Sequence, residues 1–291
     1  MNIKKNFNNT YIQKLLKELN DSNWNIRVNA VYECRNYNSP PILDALIDKL
    51  DDLNENVWIS TVNVLADKKD PRIFKKLTKR LLEDSRDEIR WHAAYFLGEL
   101  GNPKTIDPII SSLKDPCIQV RVNSARALGK IGDEKAISYL IEILDDKEPL
   151  VRKEAISSLN SLAPPKSIDV LVKSLKDNDK RVRALAAILI GKTGSKKAIK
   201  YLVKNLKDSD NVVRVSIIYA LDKIGGNEVI LPLISALKDP YWEVRSDAAS
   251  ALAKIGDIKA VVPLMDTLKD KNSFVRKSAV KALERFNIFK K

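Results

Sequence analysis

The chain has 291 residues and a formal net charge of +13, with 31% charged and 44% hydrophobic residues, a composition typical of a globular chain able to bury a core. The longest wholly apolar run, from Ala184 to Ile190, is far shorter than the roughly 18 to 20 residues that span a bilayer. The N-terminus also lacks the apolar segment of a secretory signal, so we expect a cytoplasmic protein with no membrane partner.

The first predicted element is a helix over residues 10–19, after which the sequence becomes periodic. A Val-Arg pair recurs every 31 residues from Val120-Arg121 to Val275-Arg276, and related pairs precede this series. An aspartate stands six positions before the second residue of each pair, and we number each repeat from this aspartate as position 1. The nine aspartates are Asp21, Asp52, Asp84, Asp115, Asp146, Asp177, Asp208, Asp239 and Asp270.

Repeat four, residues 115–145, illustrates the unit. Apolar or small residues at positions 6, 10, 13, 14 and 17 have helical spacing. Gly132 at position 18 suits a helix C-cap, and a second apolar series at positions 23, 26, 27 and 30 predicts another helix. Neither helix alone can bury its apolar stripe, so neighbouring units must stack.

Repeat two, residues 52–83, departs from this pattern. It has one extra residue, and Trp58 replaces the arginine of position 7. Either this is a relaxed repeat near the terminus, or the surface bends there and Trp58 and Trp91 form a pocket. The last predicted helix covers residues 273–289. We predict one domain over residues 1–291, an all-α, right-handed superhelical solenoid of nine two-helix repeats.

The repeat unit L-x-x-L-x-D-x-x-x-x-V-R-x-x-A-x-x-A-L-G-x-I-G resembles HEAT repeats, and especially the phycobilisome-lyase-like HEAT subfamily with its 31-residue period. The resemblance covers essentially the whole chain. When pairs are counted from the helix over residues 10–19, the helix at positions 6–17 of each repeat is the second helix of its pair. The resemblance implies that these second helices line a concave groove. It also implies that the periodic Asp and Arg residues form a ladder. For function it implies little, because the fold serves adaptors, scaffolds, lyases and nucleic-acid binders alike.

The residues themselves also favour a structural ladder over a catalytic or anion-binding row. A carboxylate is favoured near a helix N-terminus, and a guanidinium one turn further on can form charge-assisted hydrogen bonds with such carboxylates. The predicted ladder residues are Asp21, Arg27, Asp84, Arg90, Asp115, Arg121, Asp146, Arg152, Asp177, Arg183, Asp208, Arg214, Asp239, Arg245, Asp270 and Arg276.

The positive excess lies outside the ladder, largely in lysines at positions 16 and 31. Cations at helix C-termini complement the helix dipole, which gives these lysines a structural explanation. Alternatively they form two basic ridges that bind phosphates or an acidic partner. The ridge residues are Lys114, Lys130, Lys176, Lys192, Lys207, Lys223, Lys238, Lys254 and Lys269.

Positions 8 and 12 of the second helices point away from the core, yet many of them are apolar or aromatic. A contiguous apolar surface usually marks an interaction site, with Tyr, Trp and Arg as anchors. The alternative is that position 8 packs against the adjacent helix, which suits Val122 better than Trp91. The candidate groove residues are Tyr32, Ile59, Trp91, Tyr95, Val122, Arg126, Ile188 and Tyr219.

Catalytic signatures are scarce in the sequence. His92 is the single histidine, Cys34 and Cys117 have no metal-type spacing, and no P-loop or G-x-S-x-G pattern occurs. We therefore predict no enzyme activity, no metal and no cofactor. The predicted function is a scaffold that binds a protein or peptide in the groove of the second helices. An acidic partner is one form of this prediction. The alternatives are sequence-independent nucleic-acid binding along the lysines and a bilin-lyase-like activity.

Overall fold

The computed structural model describes residues 2–162 and 168–286, with side chains from residue 10 onward. Within these ranges all regular structure is helical, with eighteen α-helices and no strand. The helices are α1 (Asn2–Glu18), α2 (Trp24–Glu33), α3 (Pro40–Lys49), α4 (Glu55–Lys68), α5 (Arg72–Glu83), α6 (Asp87–Leu100), α7 (Ile106–Ser111), α8 (Ile118–Ile131), α9 (Ala136–Glu142), α10 (Pro149–Leu162), α11 (Ile168–Ser174), α12 (Lys180–Thr193), α13 (Ile199–Asn205), α14 (Asn211–Ile224), α15 (Ile230–Ala236), α16 (Trp242–Ile255), α17 (Val261–Thr267) and α18 (Ser273–Arg285).

The helices form nine consecutive pairs, which confirms the predicted all-α repeat solenoid. The chain divides into two compact units, Met1–Ala136 and Ile137–Lys291. Inside each unit the odd-numbered first helices pack on the even-numbered second helices, and the second helices of successive repeats also stack on one another. Fully buried side chains from both kinds of helix, such as Leu77 of α5 and Leu97 of α6, fill the space between them.

The two terminal helices differ from their predicted bounds. The first was predicted over residues 10–19, but α1 begins at Asn2 and ends at Glu18. The last was predicted over residues 273–289, and α18 runs from Ser273 to Arg285. The remainder of that prediction, residues 287–289, lies outside the described residues.

The extra residue of repeat two accompanies a change in its first helix. In repeat three, 3-10 turns at Pro103–Thr105 and Ser112–Lys114 flank the short α7. In repeat two, α5 is one continuous α-helix of 12 residues. An α-helix rises about 1.5 Å per residue and a 3-10 helix about 2.0 Å. Both segments contain 12 residues, so the wholly α-helical segment of repeat two is shorter than its counterpart in repeat three.

The turn before each second helix is held by the same aspartate, and in five of these helices a side-chain cap follows. The position 1 aspartate accepts a hydrogen bond from the backbone N–H of position 3, as between Asp208 and Asp210 at 2.9 Å. Where position 3 is Asn or Asp, its side chain caps the helix, as Asp210 does by accepting from the N–H of Val212 at 2.9 Å. Asn and Asp are favoured at this position because they satisfy otherwise unpaired N–H groups of the first turn.

The predicted ladder is present. In six repeats, Nε and Nη2 of the arginine donate to both carboxylate oxygens of the next repeat's aspartate at 2.6–3.0 Å, while Nη1 donates to the backbone carbonyl of its own repeat's aspartate. These pairs are Arg27–Asp52, Arg90–Asp115, Arg152–Asp177, Arg183–Asp208, Arg214–Asp239 and Arg245–Asp270.

The other predicted ladder residues use the same turn contacts. Arg121 donates to the carbonyls of Asp115 and Pro116, and Arg276 donates to those of Asp270 and Lys271. Aspartates accept the position 3 N–H in the remaining turns, as Asp21 does from Asn23 and Asp146 does from Glu148.

Asp84 is the exception, because Trp58 occupies the slot of the arginine that would bind it. Two other arginines take over: Arg80 donates to Asp84 at 2.5 Å, and Arg86 donates at 3.0 and 3.1 Å. Burial alone would raise the pKa of the Asp84 carboxyl, but the hydrogen bonds from Arg86 and Arg80 outweigh it and lower this pKa to about 2. Asp84 therefore stays ionised although nearly all of its side chain is buried.

Stacking of the second helices depends on close backbone approach at position 15. A Cβ atom built on Gly191 of α12 would lie 2.6 Å from the Cα of Ala220 in α14. On α6, a Cβ on Gly98 would lie 2.7 Å from the Cα of Ala127 in α8. Both obstacles are backbone atoms, so neither can rotate away.

We expect Gly191→Ala to destabilise the protein. Overpacking of this kind costs about 1–3 kcal/mol, while replacing a helical glycine by alanine returns at most about 1 kcal/mol. The net free energy of unfolding, measured by urea denaturation, should fall by about 1–2 kcal/mol. Lys192→Ala, at the exposed neighbouring position, should change it by less than about 0.5 kcal/mol. A more stable Gly191→Ala variant would contradict the close approach.

Candidate functional site

In the first unit, the second helices α4 and α6 enclose an open cleft with a volume of about 630 Å³. Trp91 and Tyr95 occupy positions 8 and 12 of their repeat, one helical turn apart on α6, so both rings lie on the same side of that helix. Ile59 faces them from α4. The cleft is lined by Ile59, Asn63, Ala66, Asp67, Trp91, His92, Tyr95, Phe96, Glu99 and Leu100.

The aromatic residues of α6 form one continuous wall. The Trp91 ring stacks on His92 with 3.4 Å between centroids, and Tyr95 packs edge-on against Phe96 at 5.3 Å. Tyr95 keeps 38% of its surface exposed. Large rings held in place by their neighbours lose little conformational entropy on binding, and this makes them effective contact residues.

Trp58 lies behind this wall and not in it, which corrects its predicted place in the pocket. Its side chain is fully buried, with ring centroids 6.2 Å from His92 and 6.0 Å from Phe96. It points from α4 toward α6 because it occupies the ladder slot, which faces the next repeat. Its indole Nε1 has no hydrogen-bond partner in the structure, so Trp58 contributes packing alone. Trp91, the other predicted pocket residue, lines the cleft.

His92 is held as a packing residue between the two tryptophans. Its Nδ1 lies 2.8 Å from the Glu88 carbonyl oxygen and 3.3 Å from a Glu55 carboxylate oxygen. Both neighbours are acceptors, so Nδ1 carries the proton. Burial lowers the pKa of the imidazole below its ordinary value of 6.5. The ring is therefore neutral at neutral pH and presents an apolar face to the cleft.

The charges at the cleft rim are paired. Glu99 forms an ion pair with Lys130 of α8, whose ammonium also lies 5.7 Å from the Tyr95 ring centroid. Asp67 pairs with Arg35 at 3.0 Å. Because each rim carboxylate has a cation beside it, the unsatisfied surface of the cleft is the apolar and aromatic part.

The other groove candidates of the first unit lie outside this cleft. Tyr32 is exposed on α2. Val122 is only 8% exposed, so it packs between second helices and is not an exposed groove residue, which corrects that prediction. Arg126 is partly buried and donates to the Asn123 side chain at 3.5 Å.

In the second unit, Tyr219 is exposed on α14, and the ammonium of Lys223 lies 5.5 Å from its ring centroid. It lines a smaller cleft of about 250 Å³ together with Asp222, Asp247 and residues of α16. Ile188 is half-buried on α12. The second unit thus repeats the exposed position 12 tyrosine on a smaller scale.

The ridge lysines at positions 16 and 31 differ in the contacts that their ammonium groups make. At position 16, Lys130 and Lys254 form ion pairs with Glu99 and Asp222, and Lys223 lies over Tyr219. The other ridge lysines are exposed, and they are Lys114, Lys176, Lys192, Lys207, Lys238 and Lys269.

Sequence reasoning missed much of the cleft lining. His92, Phe96 and Glu99 occupy positions 9, 13 and 16 of their repeat, adjacent to positions 8 and 12 on the helical wheel. A wider stripe around positions 8 and 12 would have included them. The position 13 residue was assigned to the buried stripe because the wheel of one helix cannot show where two helices separate.

Two further properties concern only the described ranges. No helix there combines the length and apolarity needed to cross a bilayer. No group of three or more His, Cys, Asp or Glu side chains in those ranges could hold a metal ion.

The chain is similar to several solved helical-repeat structures. Kap95, in its complex with Nup1, matches with a TM-score of 0.72 and 14% identity over 98% of this chain and 48% of its own. YibA of Escherichia coli matches with a TM-score of 0.61 and 24% identity over 88% of this chain and 96% of its own. An engineered protein matches with a TM-score of 0.50 and 22% identity over 94% of this chain and 88% of its own.

These likenesses concern the fold. Among curated proteins, none matches the sequence. The family model for HEAT repeats matches residues 12–94, 43–116, 74–160, 106–188, 168–253 and 230–287. These overlapping matches span nearly the whole chain, and the chain therefore belongs to the HEAT-repeat proteins.

Proposed function

We propose that this protein is an interaction scaffold that binds a protein or peptide on the surface of its second helices, without catalysing a reaction. The observation that carries the proposal is the aromatic cleft between α4 and α6. Half-buried Trp91 and exposed Tyr95 form an aromatic wall there, and Ile59 and Ala66 face it from the opposite helix. Exposed apolar surface of this kind is costly to leave in water and usually marks a binding site.

The chemistry of the cleft supports recognition of an apolar or aromatic side chain. Its rim carboxylates already have cationic partners in Arg35 and Lys130, and His92 is neutral at neutral pH. A bound apolar side chain would therefore leave no charge unpaired. The net charge of +13 consequently says little about the ligand of this cleft, because the exposed ridge lysines are not among its lining residues.

The bound form of Kap95 is in keeping with this proposal, since that protein has the same kind of fold and is found in complex with Nup1. Repeat solenoids offer extended surfaces on which a partner contacts several units at once. In the first unit, exposed Tyr32 on α2 and the cleft between α4 and α6 would supply such successive contacts.

We expect the double variant Trp91→Ala/Tyr95→Ala to lose its partner. Aromatic anchors typically contribute about 2–4 kcal/mol each when truncated at an interface, so affinity should fall by more than tenfold. The measurement is affinity capture from extract of the source cells with tagged protein, quantified by mass spectrometry after nuclease treatment. Captured proteins would then be titrated individually against both forms.

The matched control is Tyr201→Ala on the first helix α13, because Tyr201 is 39% exposed and Tyr95 is 38% exposed. It should retain the partner. Circular dichroism should show unchanged helicity in both variants, since these side chains lie at the surface. Undiminished binding by the double variant would exclude the cleft as the docking site, and loss of binding in Tyr201→Ala would place the partner on the first helices.

A further inference from the structure

A second exposed surface lies on the first helices of the second unit. Four apolar side chains there form what we term the first-helix patch. Their exposed fractions are 70% for Leu231, 74% for Ile258, 68% for Val262 and 48% for Met265. The last three follow one another at spacings of four and three residues, which places them on one helical face.

The repeat frame shows that this exposure is not required by the fold. Leu231 and Val262 both occupy position 24, an outward position of the first helix. The same position is polar in the other regular repeats that the structure describes, where its residues are Asp44, Asp107, Ser138, Asp169 and Lys200. Repeats seven and eight therefore carry apolar residues where solvent contact alone favours polar ones.

The patch borders a groove of about 300 Å³ between α15 and α17. Ile234 and Leu237 line it from α15, and Val262 and Pro263 line it from α17. Leu231 and Val262 occupy the same position on the neighbouring helices α15 and α17, and stacked helices lie about 8–10 Å apart. Residues i and i+7 of an α-helix are about 10.5 Å apart, so a helix that crosses α15 and α17 can contact both side chains. The groove thus offers apolar contacts at the spacing of one face of a helix.

Lysines outnumber the carboxylates outside the ladder around this groove. Lys238 and Lys269 line it at the C-terminal ends of the two first helices, and Lys259 lies one residue beyond Ile258. None of these three ammonium groups has an ion-pair or hydrogen-bond partner within the described residues. Asp266 is the one acidic residue of the lining outside the ladder. This contrasts with the α4–α6 cleft, whose rim charges are paired.

We propose that the first-helix patch binds an acidic amphipathic helix of a partner protein. The bound helix would cross α15 and α17 with its apolar residues against Leu231 and Val262, and its carboxylates would pair with Lys238 and Lys269. Both features are needed: the apolar side chains provide burial, and the lysines select against basic helices. This site is independent of the docking cleft in the first unit.

The test is fluorescence anisotropy of the full chain with a labelled synthetic helix that carries leucines at i, i+3, i+4 and i+7 and glutamates along both flanks. Saturable binding is expected. A scrambled peptide of equal composition, and a peptide with lysines in place of the glutamates, should bind at least tenfold more weakly. Leu231→Ser/Val262→Ser should weaken binding at least tenfold, as should Lys238→Glu/Lys269→Glu.

The matched control is Lys176→Glu/Lys207→Glu, which makes the same change in the same lysine column beside polar Asp169 and Lys200. It should leave binding within twofold of the unmodified chain, as should Trp91→Ala/Tyr95→Ala. The substituted side chains are exposed, so the melting temperature should not change. If the serine variant unfolds, the lysine variants still decide the outcome.

Several results would overturn the proposal. These are absence of saturable peptide binding, equal binding of the scrambled peptide, and an equal effect of the Lys176/Lys207 control. Capture of the chain by phosphatidylserine vesicles through Leu231 and Val262 would assign the patch to a lipid surface. Self-association abolished by Leu231→Ser would assign it to a second copy, and displacement of the peptide by poly(U) RNA would assign the lysines to nucleic acid.

Discussion

Trp58→Ala should lower the free energy of unfolding by about 3–5 kcal/mol, the range measured for truncating large buried aromatic residues. The loss should occur although most other repeats carry an arginine at this position. Trp58 is fully buried against His92 and Phe96, and alanine would leave a cavity between α4 and α6. Urea denaturation followed by circular dichroism measures the change.

Trp58→Phe is the control that separates packing from hydrogen bonding. The Trp58 indole N–H has no partner, so phenylalanine removes no hydrogen bond and restores much of the lost volume. We expect it to cost less than half as much as alanine. Equal losses in the two variants would mean that the indole N–H is bonded in solution and that packing is not its main contribution.

Arg245→Ala should cost about 3 kcal/mol. Removing one partner from a buried ion pair leaves the other charge without compensation. Here the Arg245 and Asp270 side chains are 6% and 11% exposed, and hydrogen bonding by Arg245 is the main reason that the pKa of the Asp270 carboxyl lies below its ordinary value. The arginine also holds the Asp239 carbonyl at 2.7 Å, so its loss loosens two turns.

Arg276→Ala provides the comparison, because Arg276 occupies the same position of the last repeat. It donates to the carbonyls of Asp270 and Lys271, is exposed, and pairs with no carboxylate in the described part of the chain. We expect it to cost less than about 1 kcal/mol in the same urea titration. If the two variants lost equal stability, the carbonyl contacts and not the inter-repeat ion pairs would be the source of the ladder's contribution.

The fold could be predicted because the same hydrogen-bonding and packing positions recur in the nine repeats. Asp208 and Arg214 stand where Asp177 and Arg183 stand one repeat earlier, and each arginine donates to the aspartate of the following repeat in the same way. The arrangement around Asp84 could not be predicted. Arg80 and Arg86 lie outside the ladder positions, and only their three-dimensional proximity makes them replacements for the missing arginine.

The exposed surfaces were predicted less completely. The wheel of a single helix placed Tyr95 at the surface, which was right, because position 12 lies farthest from both neighbouring helices. It also placed Val122 there, which was wrong, because Val122 is buried, as the packing alternative for position 8 predicted. The first-helix patch was missed because Leu231 and Val262 attract attention only when compared with polar residues at the same position of other repeats.

Trp58 stands where other repeats have an arginine, and this changes how the stability of one contact between repeats depends on salt and temperature. Ion pairs weaken as salt rises, although burial limits the screening, whereas contact between apolar rings is not weakened by salt. Cooling has the opposite effect, because hydrophobic stabilisation declines at low temperature. The joint between repeats two and three, which supports the aromatic cleft, therefore combines the Arg80–Asp84 ion pair with a buried aromatic contact that salt does not weaken, and this contact makes the joint less tolerant of cold.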